Sequence, residues 1–299
     1  MKMNDSINKK MLKVLAALGL TLGVAGQASA SYIYASYTGS QQGVTIRDLS
    51  LNQITSFNTG FNIDGIAAGQ NNDLYVTSAN NIYNYSNSGT LLNTMTFPDA
   101  GIRYTDITVS GNSVYASYTG SQQGVTIRNS SLNQTFSFNT GFDIDGISAG
   151  QNNDLYVTSA NGIYNYSING TLLNSMLFPD PAIRYTDVSV RDGILFASYT
   201  GSQQGVTIRN LSLVQSFAFS TGFDILGITA GLNNDLYVTS ANGIYNYSIN
   251  GTLLNSMIFP DQRIIYTDVT LAAVPEPATL LLLGAGLLGL LGASRRKTA

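Results

Sequence analysis

The chain has 299 residues, room for one large or two ordinary domains, and its 44% hydrophobic content allows a sizeable core. Only 10% of it is charged and it has no Cys, His or Trp, which excludes a disulfide framework, ordinary zinc sites and Ser-His or Cys-His nucleophiles. All five lysines lie in the terminal segments, while residues 31–273 hold seven Arg, fifteen Asp and no Glu, a net charge of −8; such an acidic, lysine-free body is not built to hold phosphate backbones, so no nucleic acid is expected as a partner.

Residues 1–30 read as a secretory signal peptide. Lys9, Lys10 and Lys13 precede an apolar run at 14–26, and Ala28-Ser29-Ala30 follows. Cleavage after Ala30 makes Ser31 the first residue of the mature chain. The alternative is a short buried helix.

Residues 31–273 repeat. Ala-Ser-Tyr-Thr-Gly-Ser-Gln-Gln-Gly-Val-Thr-Ile-Arg begins at Ala35, Ala116 and Ala197, and Asn-Asn-Asp-Leu-Tyr-Val-Thr-Ser-Ala-Asn begins at Asn71, Asn152 and Asn233, each with a spacing of 81. Each unit splits again: Ile66, Ile107, Ile147, Val188, Ile228 and Val269 align at steps of 40 or 41 residues. One four-stranded propeller blade takes ~40–45 residues.

The strands are legible one by one. Residues 74–78 (Leu-Tyr-Val-Thr-Ser) are β-branched and aromatic. Residues 82–86 alternate, and 91–97 follow a Ser88-Gly89 turn that becomes Asn169-Gly170 and Asn250-Gly251 in later copies, a strong hairpin signal. Residues 105–110 complete a blade as its inner strand. No stretch of the middle keeps an apolar period of 3.6, so no helix is expected there. Six inner strands fall near 64, 105, 145, 186, 226 and 267, and six second strands near 32, 73, 113, 154, 194 and 235. The chain therefore opens on a second strand (residues 32–35) and closes on the inner strand that the first blade lacks (267–271). Pairing the two closes a ring and removes its open edges. The expected fold is an all-β, six-bladed propeller built from three double-blade repeats; an open β-solenoid or two β-sandwiches are the alternatives. The pattern Gly-Ile-x-Ala-Gly-x-x-x-Asp-Leu-Tyr-Val, beginning at Gly65, loosely resembles NHL-type propeller repeats.

The C-terminal segment, 274–299, runs Val274-Pro275-Glu276-Pro277, then sixteen mostly apolar residues at 278–293, then Ser294-Arg295-Arg296-Lys297. As a helix those sixteen residues span about 24 Å at 1.5 Å per residue. That is short of a ~30 Å hydrocarbon core, yet it suffices as a transmembrane helix if the bilayer thins locally. The terminal basic cluster would stay cytoplasmic and leave the body outside. An apolar helix packed on the domain is the alternative. The three parts, in this order, resemble the PEP-CTERM sorting signal, also described as an ice-binding protein C-terminal domain. That resemblance implies recognition by the membrane protease exosortase, with Pro275, Glu276 and Pro277 as the recognised motif and Arg295, Arg296 and Lys297 as its basic end. It further implies a Gram-negative host that makes exopolysaccharide and biofilm. The ice-binding label draws little support from the body, which lacks a long array of regularly spaced Thr.

Candidate chemistry in the middle is sparse. Asp106, Asp187 and Asp268 open three alternate inner strands, and Asp64 and Asp145 sit one alignment position earlier on two others, with Leu226 on the sixth. A closed ring would bring up to five carboxylates to the mouth of the channel, a donor set that suits Ca²⁺. The competing reading is that each Asp caps a turn through nearby backbone N–H groups. The Asn-Asn-Asp runs lack the spacing of an EF-hand loop and read as turns. The Gly-Ser-Gln-Gln-Gly loops lack the Lys and the strand–loop–helix setting of a phosphate loop and read as wide hairpin loops on one rim. Each is followed by an Arg (Arg47, Arg128, Arg209), so a ring would repeat one polar surface three times, suited to a repetitive ligand such as carbohydrate. The eighteen tyrosines could add flat faces. Duplication alone, with Tyr as a good strand residue, explains the same pattern.

Calcium-dependent propeller hydrolases resemble this architecture, but they typically use Glu, Asn, Asp and His, and residues 31–273 have neither Glu nor His. No enzyme activity and no resident cofactor are therefore expected. The reading is an exported, exosortase-processed surface or biofilm-matrix protein. It would be anchored transiently in the inner membrane, with a non-catalytic propeller that binds polysaccharide or protein. A purely structural surface component is the alternative.

Overall fold

The computed structural model describes residues 31–273 other than 71, 72, 153, 179, 260 and 262. The signal segment 1–30 and the sorting segment 274–299, including 278–293, lie outside the described residues. Among the described residues no helix is long and apolar enough to cross a membrane.

Among the described residues, twenty-four strands form six four-stranded antiparallel sheets. Sheet I holds β1 (Ser31–Gly39), β2 (Gly43–Arg47) and β3 (Gln53–Asn58). Sheet II holds β4 (Gly65–Ala68), β5 (Asp73–Ser78), β6 (Asn81–Ser86) and β7 (Leu91–Thr96). Sheet III runs β8 (Ile102–Ser110), β9 (Ser113–Gly120), β10 (Gly124–Asn129) and β11 (Gln134–Asn139). Sheet IV runs β12 (Gly146–Ala149), β13 (Asp154–Ser159), β14 (Gly162–Ser167) and β15 (Leu172–Leu177). Sheet V runs β16 (Ile183–Arg191), β17 (Ile194–Gly201), β18 (Gly205–Asn210) and β19 (Gln215–Ser220). Sheet VI runs β20 (Gly227–Ala230), β21 (Asp235–Ser240), β22 (Gly243–Ser248) and β23 (Leu253–Ile258). The last strand, β24 (Ile264–Ala273), takes the inner place in sheet I beside β1. The ring thus closes as the strand count predicts: Ser36 Oγ lies 2.8 Å from Thr267 Oγ1 and donates to the Asp268 carbonyl at 3.3 Å.

Burial follows position in the blade. Second strands are buried along almost their whole length (β5, β13, β21), whereas outer strands are exposed. A strand flanked by blades on both faces has no solvent side, so Leu-Tyr-Val-Thr-Ser reads as a near-continuous apolar run. The core is six clusters, each spanning two neighbouring sheets. The cluster that joins sheet VI to sheet I gathers Tyr237 and Ile244 with Ile33, Ile264 and Tyr266. Closure is therefore made by packing as well as by backbone pairing.

Antiparallel order sorts the loops onto two faces. The Gly-Ser-Gln-Gln-Gly loops and the segments that enter each inner strand share one face, here called the rim. β1 begins and β24 ends at the opposite face. The third-to-outer pairs each carry a bulge, as at Asn84/Tyr85 and Asn165/Tyr166. Gly170, with φ +77°, makes the tight turn before β15.

Candidate functional site: the channel and the looped rim

The inner strands β8, β16 and β24 present Asp106, Asp187 and Asp268 to the central channel. The cavity there measures about 130 Å³, and Ser148, Ser189 and Thr270 also line it. Each carboxylate is 6% exposed. One oxygen of each accepts the amide of the following residue: Ile107 at 2.7 Å, Val188 at 2.6 Å and Val269 at 2.7 Å. The other oxygen accepts an amide from another blade: Ile147 N at 2.7 Å, Ile228 N at 2.7 Å and Ile66 N at 2.8 Å. Glycine makes the seat. A Cβ on Gly146 would stand 2.6 Å from the Asp187 Cα and 2.5 Å from its Oδ1. Each Asp thus touches the blade before it and bonds the blade after it.

Burial pushes the Asp106 carboxyl up to about 7. Burial first, then the facing Asp106 and Asp268, raise Asp187 well above the usual carboxylate range, and burial with Asp106 does the same for Asp268. In every case the amide bonds pull the other way. These carboxylates accept backbone N–H groups, but within inner strands and across blades rather than as caps of turns. The amide that matters most comes from a different blade, which a single sequence does not show.

The five-carboxylate mouth is not there. Asp64 and Asp145 lie off the channel and pair with Arg103 and Arg184 instead, each accepting also from the arginine Nε at 3.3 and 3.2 Å. Among the described residues no group of three acidic side chains is arranged to hold a metal. Each oxygen of the channel carboxylates already accepts one backbone amide.

Two further expectations are corrected. Arg47, Arg128 and Arg209 do not decorate a surface: they are 5–7% exposed. Each donates through Nη1 to the carbonyl of Leu51, Leu132 or Leu213 at 2.7–2.8 Å, and each leaves a buried Nε without a partner. The tyrosines form no open platform either, since all eighteen are buried or half-buried. Second-strand positions between blades favour a large ring with a polar tip. Tyr75, Tyr156 and Tyr237 each donate across to the next blade, to the carbonyls of Ser130, Leu211 and Leu49 at 3.0 Å. Behind them Asn84, Asn165 and Asn246 donate to Asp73, Asp154 and Asp235. Sequence reasoning treated the Asn-Asn-Asp runs only as turns and missed this chain. Its signal is Asp, Tyr two residues later and Asn eleven residues later, recurring every 81.

The Gly-Ser-Gln-Gln-Gly loops are rim hairpins, as expected. Their serines brace the entries to inner strands: Ser121 donates to Asp99 at 2.7 Å, Ser40 to Asp261 at 3.2 Å and Ser202 to Asp180 at 3.3 Å. Beside them opens a cleft of about 520 Å³ lined by Asn62, Asp64, Asn80 and Arg103, among others. The matching position in the third repeat holds Leu226 and Ile265, each 39% exposed.

Comparisons with known proteins bear on the two parts separately. A search of curated proteins found no match. Among solved structures, a protein of unknown function from Bacteroides caccae matches with a TM-score of 0.66 at 12% identity, over 81% of this chain and 99% of that one. The WD40 β-propeller domain of Doa1 matches at 0.58 and 9% identity, over 77% and 79%. The Neurospora crassa Pan2 WD40 domain matches at 0.50 and 11% identity, over 66% of each chain. At these identities the likeness is one of fold alone. Residues 273–297 match the PEP-CTERM protein-sorting motif, which implies export, membrane anchoring and exosortase processing, so the chain is a six-bladed propeller that carries a PEP-CTERM sorting tail.

Proposed function

We propose that the exported propeller is a non-catalytic binding module, presented at the cell surface or in the biofilm matrix of a Gram-negative bacterium, and that its ligand is a polysaccharide or a protein held on the rim. The observation that carries this reading is topological. Ser31 and the end of β24 lie on the face opposite the rim. The rim holds a polar cleft with a guanidinium fixed by its carboxylate, an arrangement that offers donors and acceptors side by side.

The channel supports the non-catalytic part. Its three carboxylates hold blades together and face a cavity of about 130 Å³, small beside the ~300–1,000 Å³ of ordinary ligand sites. A glycan array and a polysaccharide pull-down with the exported protein test the ligand. Binding that falls at least tenfold in Arg103→Ala with Arg184→Ala is expected, and no binding to any glycan or envelope protein would overturn the module. Fractionation with and without exosortase tests the sorting, the expected result being a change in mass and location. A purely structural role, the second reading, is favoured by the uncharged outer strands.

A further inference from the structure

The rim cleft stands on a backbone frame that recurs in every double blade. The residue at the entry to the inner strand donates its amide to the second strand: Asp64 to Thr77, Asp145 to Thr158 and Leu226 to Thr239, each at 2.9 Å. The frame is the same in all three places and the side chains are not. Asp64 meets Arg103 and Asp145 meets Arg184, whereas Leu226 and Ile265 hold the matching positions in the third repeat. In each ion pair the carboxylate is covered and the guanidinium is open: the side chains of Asp64 and Asp145 are 14% and 15% exposed, those of Arg103 and Arg184 64% and 57%. Each arginine binds its carboxylate through Nε and Nη2. Its remaining donors are thereby held at a fixed place beside a carboxylate oxygen, and a ligand that uses them has little side-chain order left to impose.

We propose, building on ligand binding at the rim, that the first and second repeats each hold one site for a neutral, hydroxyl-rich sugar unit and that the third repeat holds none. Adjacent hydroxyls of such a unit suit the pair, one accepting from the guanidinium while its neighbour donates to the carboxylate. The first cleft, about 520 Å³ with Asn62, Ser78 and Asn80 in its wall, falls within the ~300–1,000 Å³ of ordinary ligand sites. Charge selects against an acidic sugar. Asp64 and Asp99 outnumber Arg103 around the first cleft, and Asp143, Asp145 and Asp180 outnumber Arg184 around the second, so a uronate would meet like charge. An amine-bearing sugar needs a carboxylate that is still free, and these are engaged. Asp99 accepts from Ser121 and the Gly101 amide, Asp180 from Ser202 and the Ala182 amide, and Asp143 from Thr119. At the third position an aliphatic pair would leave the sugar hydroxyls without partners, which costs affinity. Two weak sites on one ring still give avidity toward a repeating glycan.

Calorimetric titration of the exported protein with neutral hexasaccharides of glucose, galactose and mannose tests this, with hexagalacturonate and hexaglucosamine as the acidic and amine-bearing probes. Two neutral hexasaccharides per chain are expected. The number should fall to one in Arg103→Gln or Arg184→Gln and to none in the double variant, at a nearly unchanged melting temperature, because exposed ion pairs contribute little. Leu226→Asp with Ile265→Arg and Arg263→Ala rebuilds the third position on the pattern of the second repeat, where Ala182 precedes Ile183, and should raise the number to three. If that variant misfolds, the loss series decides alone. Three sites in the native protein, or two in a folded rebuilt variant, would overturn the inference. Preference for hexagalacturonate or hexaglucosamine, or capture of an envelope protein alone, overturns the neutral sugar and leaves the rim reading standing, provided the arginine variants abolish it. Binding that ignores both arginines, or no binding of any kind, overturns both.

Discussion

Leu132 occupies a backbone conformation that side chains avoid. Its φ is +63°, and Leu51 and Leu213 share it at +65°, a left-handed geometry that costs roughly 1–2 kcal/mol for a residue with a Cβ. What holds it is burial and a hydrogen bond. The side chain is 3% exposed and packs with Tyr75, Ile82 and Tyr104 between two sheets, while its carbonyl accepts from the buried Arg128. Leu132→Ala should lower the unfolding free energy by about 2–4 kcal/mol, the range for a large core truncation. Leu132→Gly loses the same packing but releases the backbone cost of roughly 1 kcal/mol. Urea unfolding should therefore find Gly no worse than Ala here, and a Gly variant worse by more than that amount would refute strain at this turn. Neither the strain nor the burial of Arg128 is legible in Val-Thr-Ile-Arg-Asn-Ser-Ser-Leu, where the arginine follows a hairpin loop and the leucine precedes a polar pair. Local sequence carries the strand, and the neighbouring blade decides which of its side chains are covered.

Asp64 and Asp106 show the same limit at the level of the strand. Aligned on their isoleucines they differ by one position, and in an extended chain a shift of one residue reverses the face. Asp106 consequently enters the channel, and Asp64 sits at the strand entry with its oxygens on the Ala79 amide and Arg103. The offset itself was visible in the sequence. Its consequence required knowing that Arg103 stands on the inner strand of the next sheet. The third repeat repeats the lesson through substitution, because both partners change together, Asp to Leu226 and Arg to Ile265. Leu226→Asp alone places a carboxylate beside an aliphatic chain, and Ile265→Arg alone places a guanidinium there. The double variant should restore a pair worth about 0.2–1 kcal/mol, the range for exposed ion pairs. A double-mutant cycle on thermal unfolding measures this, and zero coupling would show that the two positions no longer meet.

Closure of the ring was the most legible feature of the whole molecule, since the repeat begins and ends out of phase by one strand. It also makes β24 a single point of failure. A stop codon after Arg263 removes Ile264, Tyr266 and Val269 from the sheet VI–sheet I cluster and leaves β1 as an open edge. Loss of cooperative unfolding and aggregation are the expected outcomes, read by calorimetry and light scattering. The channel then sets how stability responds to pH. Folding raises Asp106, Asp187 and Asp268 above an unfolded value of about 3.9. Across that interval the native state binds more protons than the unfolded one, so stability declines as pH rises. Half-buried Asp48 and Asp261 and exposed Asp99 act oppositely. Bonds from Asn52, Ser121 and Arg263 hold them low, and their contribution is present above about 3.9 and lost as pH falls toward 2. Stability should peak in mild acid, with a higher melting temperature at pH 5 than at pH 8. Asp106→Asn with Asp187→Asn and Asp268→Asn should flatten the alkaline decline while lowering the melting temperature at pH 5, because an amide cannot accept from two N–H donors through both of its ends. A melting temperature that climbs steadily from pH 5 to pH 8 would mean that the three carboxylates keep their charge inside the ring, and that the amides from the neighbouring blades outweigh burial.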